Sequence, residues 1–140
     1  MTIQQISVFA ESKPGHVSGI LELFGEEGIN VRGFSAGDTG EYGIVRFIVD
    51  RPEDAMAALK RNNCACASTP VLCLRLKDEP GELARVMGVL AACDINVIYS
   101  YSMISTYIVL SVADVEHAEE LLSNEPVECA TQDDIPHLRA

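Results

Sequence analysis

Two Pro-Gly dipeptides, Pro14-Gly15 and Pro80-Gly81, each stand between a short apolar stretch and an amphipathic one. A glycine that opens a helix lets another group approach the backbone closely, and the first-turn N–H groups of a helix have no intrahelical acceptor. Those donors, with the helix dipole, favour a carboxylate. Each turn is therefore either a plain strand-to-helix connection or a cradle for a small anion, and an amino acid fits such a cradle through its carboxylate. Asn30 and Asn96 follow the two amphipathic stretches. An amide there satisfies a turn or, offering both donor and acceptor, recognises a zwitterion. His16, next to the first glycine, is either a solvated side chain or a ligand contact.

Other reactive residue types point away from catalysis and metals. Cys64 and Cys66 alternate on one strand face, and Cys73, Cys93 and Cys129 have no spacing that supplies the four ligands zinc needs. They are expected to be small buried hydrophobes. His117 and His137 fall in an acidic helix and in the tail. Tyr99, Tyr101 and Met103 share one strand face, where they pack between sheets or wall a pocket. No Ser/His/Asp or Cys/His arrangement and no phosphate loop occurs, so the chain is expected not to be an enzyme and to carry no cofactor and no metal. The formal net charge of −11 excludes a nucleic-acid partner, because phosphate binding needs clustered Lys and Arg. No apolar run reaches the roughly 20 residues of a membrane span, and residues 1–5 lack the pattern of a signal peptide. Five cysteines, an odd number, fit a reducing cytoplasm.

The elements that would position these residues repeat. Pro14-Gly15 returns as Pro80-Gly81, and Ile29-Asn30-Val31 returns at the same offset as Ile95-Asn96-Val97. Between them Val17, Ile20, Leu21 and Phe24 return as Leu83, Val86, Met87 and Leu90. The pattern predicts strands at Ile3–Ala10, Ile29–Ala36, Tyr42–Val49 and Cys64–Ser68. One helix runs to about Glu27 and another follows Asp50 as its cap, with Ala55, Ala58 and Leu59 inside. The second copy predicts strands at Val71–Leu76, from Ile95, at Tyr107–Ala113 and at Val127–Thr131. Its helices end near Cys93 and begin after Asp114, the latter with Ala118, Leu121 and Leu122 inside. The fold class is α+β: two ferredoxin-like βαββαβ modules in tandem, residues 1–69 and 70–132, each an antiparallel sheet with its helices on one face. Residues 133–140 form a polar tail with no predicted element. Ile44, Val45, Phe47 and Ile48 are apolar on both strand faces, which calls for cover on both and so for association.

The β-α-β-β-α-β order, the turn Asp78-Glu79-Pro80-Gly81-Glu82-Leu83 and the exit Asp94-Ile95-Asn96-Val97 resemble the ACT domain, in two copies over nearly the whole chain. The first copy departs in its turn, Ser12-Lys13-Pro14-Gly15-His16-Val17, where Ser12 stands for the acidic or amide residue. The resemblance implies a non-catalytic, cytoplasmic regulatory protein that binds an amino acid at an interface between modules. It implies a ligand site among the twelve residues of the two turns, with Asn30 or Asn96 contributed by a facing module. It also implies a homodimer, and a metabolic enzyme or transport system as the partner that responds. The rival reading is a structural or interaction subunit with no small ligand.

Overall fold

The computed structural model describes residues 2–11, 13–38 and 42–139. The elements run β1 (Ile3–Glu11), α1 (His16–Glu26), β2 (Val31–Asp38), β3 (Tyr42–Val49), α2 (Pro52–Arg61), β4 (Cys66–Arg75), α3 (Glu82–Ala92), β5 (Val97–Ser102), β6 (Tyr107–Val112), α4 (Val115–Ser123) and β7 (Glu128–Cys129), followed by a 3-10 helix (Gln132–His137). The chain forms two compact units, Gln4–Thr69 and Pro70–Ala140 with Met1–Ile3. Each is an antiparallel α+β module of the ferredoxin-like type.

In the first unit β3 lies between β1 and β2, with Ile6 opposite Phe47, Val8 opposite Val45 and Phe34 opposite Phe47. The start of β4 lies beside β1, and just before it Phe9 N donates to Ala65 O at 3.0 Å. Alternation puts Ile6, Val8, Val45 and Phe47 on one face, where they meet Ile20 and Phe24 of α1 and Ala55 and Leu59 of α2. Phe24 and Phe47 meet edge to face, centroids 5.1 Å apart at 84°, a geometry that adds about 0.5–1.5 kcal/mol to simple burial. In the second unit the order is β7-β4-β6-β5, with Leu72 opposite Leu110 and Leu74 opposite Ile108. These four pack on Val86 and Leu90 of α3 and Ala118 and Leu122 of α4. A register shift between Val31 and Gly33 recurs between Val97 and Tyr99, so the repeat extends to a strand irregularity.

Several expectations change. The strands predicted at Cys64–Ser68 and Val71–Leu76 are one strand, β4; its Pro70 is exposed, where a missing N–H is tolerated. Asp50 does not cap α2. Arg51 holds that position, while Asp50 Oδ1 accepts from Asn30 N at 2.9 Å and Asp50 N donates back to Asn30 O at 3.2 Å, tying β2 to the end of β3. Asp114 does cap α4, accepting from His117 N at 3.0 Å. β2 and β5 begin at Val31 and Val97, two residues later than predicted. Leu83, placed by its spacing on the inner helix face, is 49% exposed. The predicted hairpin loop falls largely on residues 39–41, outside those described.

The second sheet face is covered more fully than alternation suggested. Ile48 is fully buried within the single chain, and all six residues of β6 are buried. In the second unit the tail lies beside Arg75 and Tyr107. Its 3-10 helix is held by a reciprocal Thr131–Asp134 capping box and buries Ile135 completely and Leu138 largely. Hydrogen bonds from the Thr131 backbone N–H and then from its hydroxyl hold the Asp134 carboxyl below the usual carboxylate range. Cys73 lies on this second face, its Sγ 3.5 Å from Met103 Sδ, and burial, then the neighbouring Cys129 and Asp134, push its thiol up to about 12. Tyr99 and Tyr101 are half-buried and stack, centroids 6.5 Å apart at 10°.

Two measurements check this packing. Ile135→Ala should cost about 2–5 kcal/mol in urea denaturation, and Ile98→Ala, on a 57% exposed side chain, no more than about 0.5 kcal/mol; equal losses would contradict a docked tail. In thiol labelling of the native protein at pH 8, the exposed Cys93 should react first and Cys73 last, with Cys73 catching up only on unfolding.

Candidate functional site

Both Pro-Gly turns take one backbone shape. Gly15 and Gly81 occupy the N-cap position of α1 and α3 with φ 86° and 84°, in the left-handed region that side-chain-bearing residues rarely adopt. Each glycine carbonyl accepts the first helical bond, from Gly19 N at 3.0 Å and from Arg85 N at 2.9 Å. The first helical N–H is partly engaged inside the turn, His16 N to Lys13 O at 3.4 Å and Glu82 N to Glu79 O at 3.3 Å. Pro14, Gly15, Pro80 and Gly81 are all exposed, and an added Cβ would meet nothing within 4 Å at either glycine. The glycines are therefore required by backbone angle and not by crowding.

In the second unit this turn borders a cavity of about 470 Å³. Lys77, Asp78 and Glu82 come from the turn, Arg75 from the end of β4, Thr106 from the β5–β6 connection, and Glu128 from β7. Leu76 N donates to Thr106 O at 3.0 Å, which draws that connection to the end of β4. Both signs of charge are present. Arg75 pairs with Glu128 at 3.6 Å, and Glu82 is held in an ionised state below the usual carboxylate range, chiefly by its hydrogen bond from Arg85. Arg85 Nε lies 3.3 Å from Glu82 Oε2, and Arg85 Nη2 also donates to Pro126 O at 3.2 Å. Cations beside anions at one rim can meet the carboxylate and the ammonium of a zwitterion.

The first unit has its own cavity, about 460 Å³, lined by Lys13, Pro14, Gly15 and His16 with Asn62 and Cys64. Ser12 lies outside the described residues. Val17, Glu79, Pro80, Gly81 and Leu83 stand in the turns or first helical residues without lining either cavity. Asn30 and Asn96 are exposed and lie beyond the opposite ends of α1 and α3. Eleven helical residues separate each from its module's glycine by about 16 Å. Within one module the turn and the Asn are thus not brought together. At that far end of α1, Arg51 Nη2 donates to Glu27 O at 2.7 Å and Arg61 pairs with Glu27 at 3.0 Å, a closure of structural kind. Sequence reasoning missed Arg75, Lys77, Arg85 and Thr106. The i, i+3 spacing of Glu82 and Arg85 was a readable signal, whereas Thr106 joins only through the hairpin. Among the described residues no group of His, Cys, Asp and Glu is arranged to hold a metal ion, and no helix is long and apolar enough to cross a membrane.

A family model described as an ACT domain pair matches residues 1–138. A solved structure of a Bacteroides thetaiotaomicron protein is 30% identical, covers 99% of this chain and 98% of its own, and superposes with a TM-score of 0.93. The ligand-free regulatory subunit of aspartate kinase from Thermus thermophilus is 20% identical, with 86% of this chain and 87% of that one covered and a TM-score of 0.64. The Thermus flavus counterpart is 18% identical over 86% and 88%, with a TM-score of 0.61. No curated protein matches.

The turn geometry sets a contrast between glycines. Gly15→Ala and Gly81→Ala should each destabilise by about 1 kcal/mol, because alanine is strained at positive φ. Gly19→Ala and Gly88→Ala, in helices with open space around the new Cβ, should each stabilise by about 0.5–1 kcal/mol. Denaturant midpoints of the four variants check the signs, and stabilisation at Gly81 would contradict the left-handed turn.

Proposed function

The chain belongs to the ACT domain pair family, and on that premise we propose that it is a non-catalytic, cytoplasmic regulatory protein that binds a small amino acid at its strand-to-helix turns. One observation carries the reading: the turn at Lys77–Glu82 borders a cavity of amino-acid size with Arg75 and Lys77 against Asp78 and Glu128. The carboxylate meets the cations and backbone N–H groups around Gly81, and the ammonium meets the acidic side chains. In the homodimer a module of a second chain completes the site, bringing Asn96 or Asn30, which lie beyond the far ends of α3 and α1, too distant to reach the turn of their own module. The first turn, with His16 in place of Glu82, offers different side chains and so a weaker or different site.

Binding becomes a signal when ligand held between chains stabilises one association over others. A metabolic enzyme or transport partner then responds to the favoured form. The same fold serves as a regulatory subunit of aspartate kinase in Thermus thermophilus, a precedent for a paired module acting through an enzyme. The exposed Phe34 and Ile98 on strands β2 and β5 favour a second reading, a subunit that binds only protein.

Thermal denaturation with each of the twenty amino acids separates the two. A specific ligand at 100 times its dissociation constant adds about 2.7 kcal/mol of stability. The shift should vanish in Gly81→Val and Asn96→Ala, each compared with its own unliganded melting temperature. No shift with any amino acid at millimolar concentration would remove the sensor reading.

A further inference from the structure

Among the described residues, three that carry a side chain have a left-handed backbone: Asn63, Asp94 and Ser105. Asn63 and Asp94 stand just beyond the ends of α2 and α3, and both residue types tolerate that conformation there. Neither account covers Ser105. It lies in the β5–β6 connection, where the chain reverses over Ile104–Tyr107. Tyr107 N donates to Ile104 O at 3.3 Å, and Met103 N donates to Tyr107 O at 2.8 Å. Ser105 is the first central residue of this reversal, with φ 56°, and at such a position glycine is preferred. The corresponding loop of the first copy reads Asp38-Thr39-Gly40-Glu41 in sequence and does contain a glycine. A residue kept where the backbone favours another type points to a use of its side chain. Ser105 is exposed and lines the 470 Å³ cavity beside the Gly81 turn. Thr106 O accepts from Leu76 N at 3.0 Å, which fixes the hairpin against the end of β4 and holds Ser105 at that rim.

The charges around the cavity balance. Arg75 and Lys77 line it with Asp78, Glu82 and Glu128, and Arg85 bonds to Glu82 from behind. A ligand's side chain therefore meets no excess of either sign. The remaining polar side chains of the wall are the hydroxyls of Ser105 and Thr106. We propose that Ser105 sets the specificity of this site: its hydroxyl hydrogen-bonds the side chain of the bound amino acid, so that an uncharged ligand carrying a hydroxyl or an amide is preferred to its apolar isostere. The inference rests on the reading of the Lys77–Glu82 cavity as an amino-acid site. The charged rim takes the carboxylate and ammonium common to all amino acids, which leaves the hairpin hydroxyls for the part that differs. A site that hydrogen-bonds a ligand group rejects the analogue lacking it, because the site's own polar group is then left unpaired.

Calorimetric titration of the full chain with threonine against valine, and with asparagine against leucine, tests this alongside urea denaturation. At least one polar member should bind ten or more times tighter than its isostere, and tighter than lysine or glutamate. That ratio should fall at least fivefold in Ser105→Gly and in Ser105→Ala, the second of which keeps the Cβ and removes only the hydroxyl. Without ligand, the urea midpoint of Ser105→Gly should rise above the parent's, because glycine relieves the left-handed backbone. Equal affinity within both pairs, tighter binding of lysine or glutamate, or a ratio unchanged in either variant would each overturn this inference and leave the amino-acid site standing. A Ser105→Gly midpoint no higher than the parent's would do the same. Absence of binding by all twenty amino acids would overturn both.

Discussion

A strand that hands over to a helix packed on its own sheet must reverse within a few residues. In both modules the reversal passes through a glycine at positive φ, 86° at Gly15 and 84° at Gly81. Everything downstream depends on that angle. It aims α1 so that Ile20 and Phe24 reach Phe47, and α3 so that Val86 and Leu90 reach Leu72 and Leu74. It also leaves the turn at the surface, since the preceding proline has no N–H to bond and the glycine has no side chain to bury. A surface turn rigidly tied to a core is a good place to hold a small ligand, because holding it costs little ordering.

On that shared backbone the side chains have parted. Glu82 and Arg85 form a pair that reaches the Pro126 carbonyl, where the first module has His16 and Gly19. Two like frames thus present two different surfaces: a rim of mixed charge beside Gly81, and a groove beside Gly15 with an imidazole nitrogen that has no partner among the described residues. Backbone geometry is held by packing of the core, whereas rim residues such as Asp78 and Lys13 lie exposed at the surface. A repeated fold is therefore no reason to expect a repeated site.

The alternation of Leu72 and Leu74, the helix faces through Phe24 and Leu90, and the Asp114 cap were all legible in the sequence, because each is a local pattern with a local cause. The merger of two predicted strands into β4 was not, since Pro70 marks a break by propensity and only its exposed position lets the strand run through it. Asp50 read as a helix cap because it precedes Pro52; its partner, Asn30 N, is twenty residues away in sequence. Ile135 looked like one apolar residue in a polar tail, and nothing local says that it is buried. For the site, the turns were visible but the walls were not: Arg75, Thr106 and Glu128 meet at one rim only through sheet pairing.

The central claim is that an amino acid is held at the Gly81 turn. The most direct measurement is a nitrogen-15 NMR titration of the full chain with amino acids, following the backbone amides. Saturable shifts at Gly81, Glu82 and Leu83, larger than those around Gly15, are the predicted result. Saturable shifts confined to other parts of the chain, or none at all with any amino acid at millimolar concentration, would contradict it.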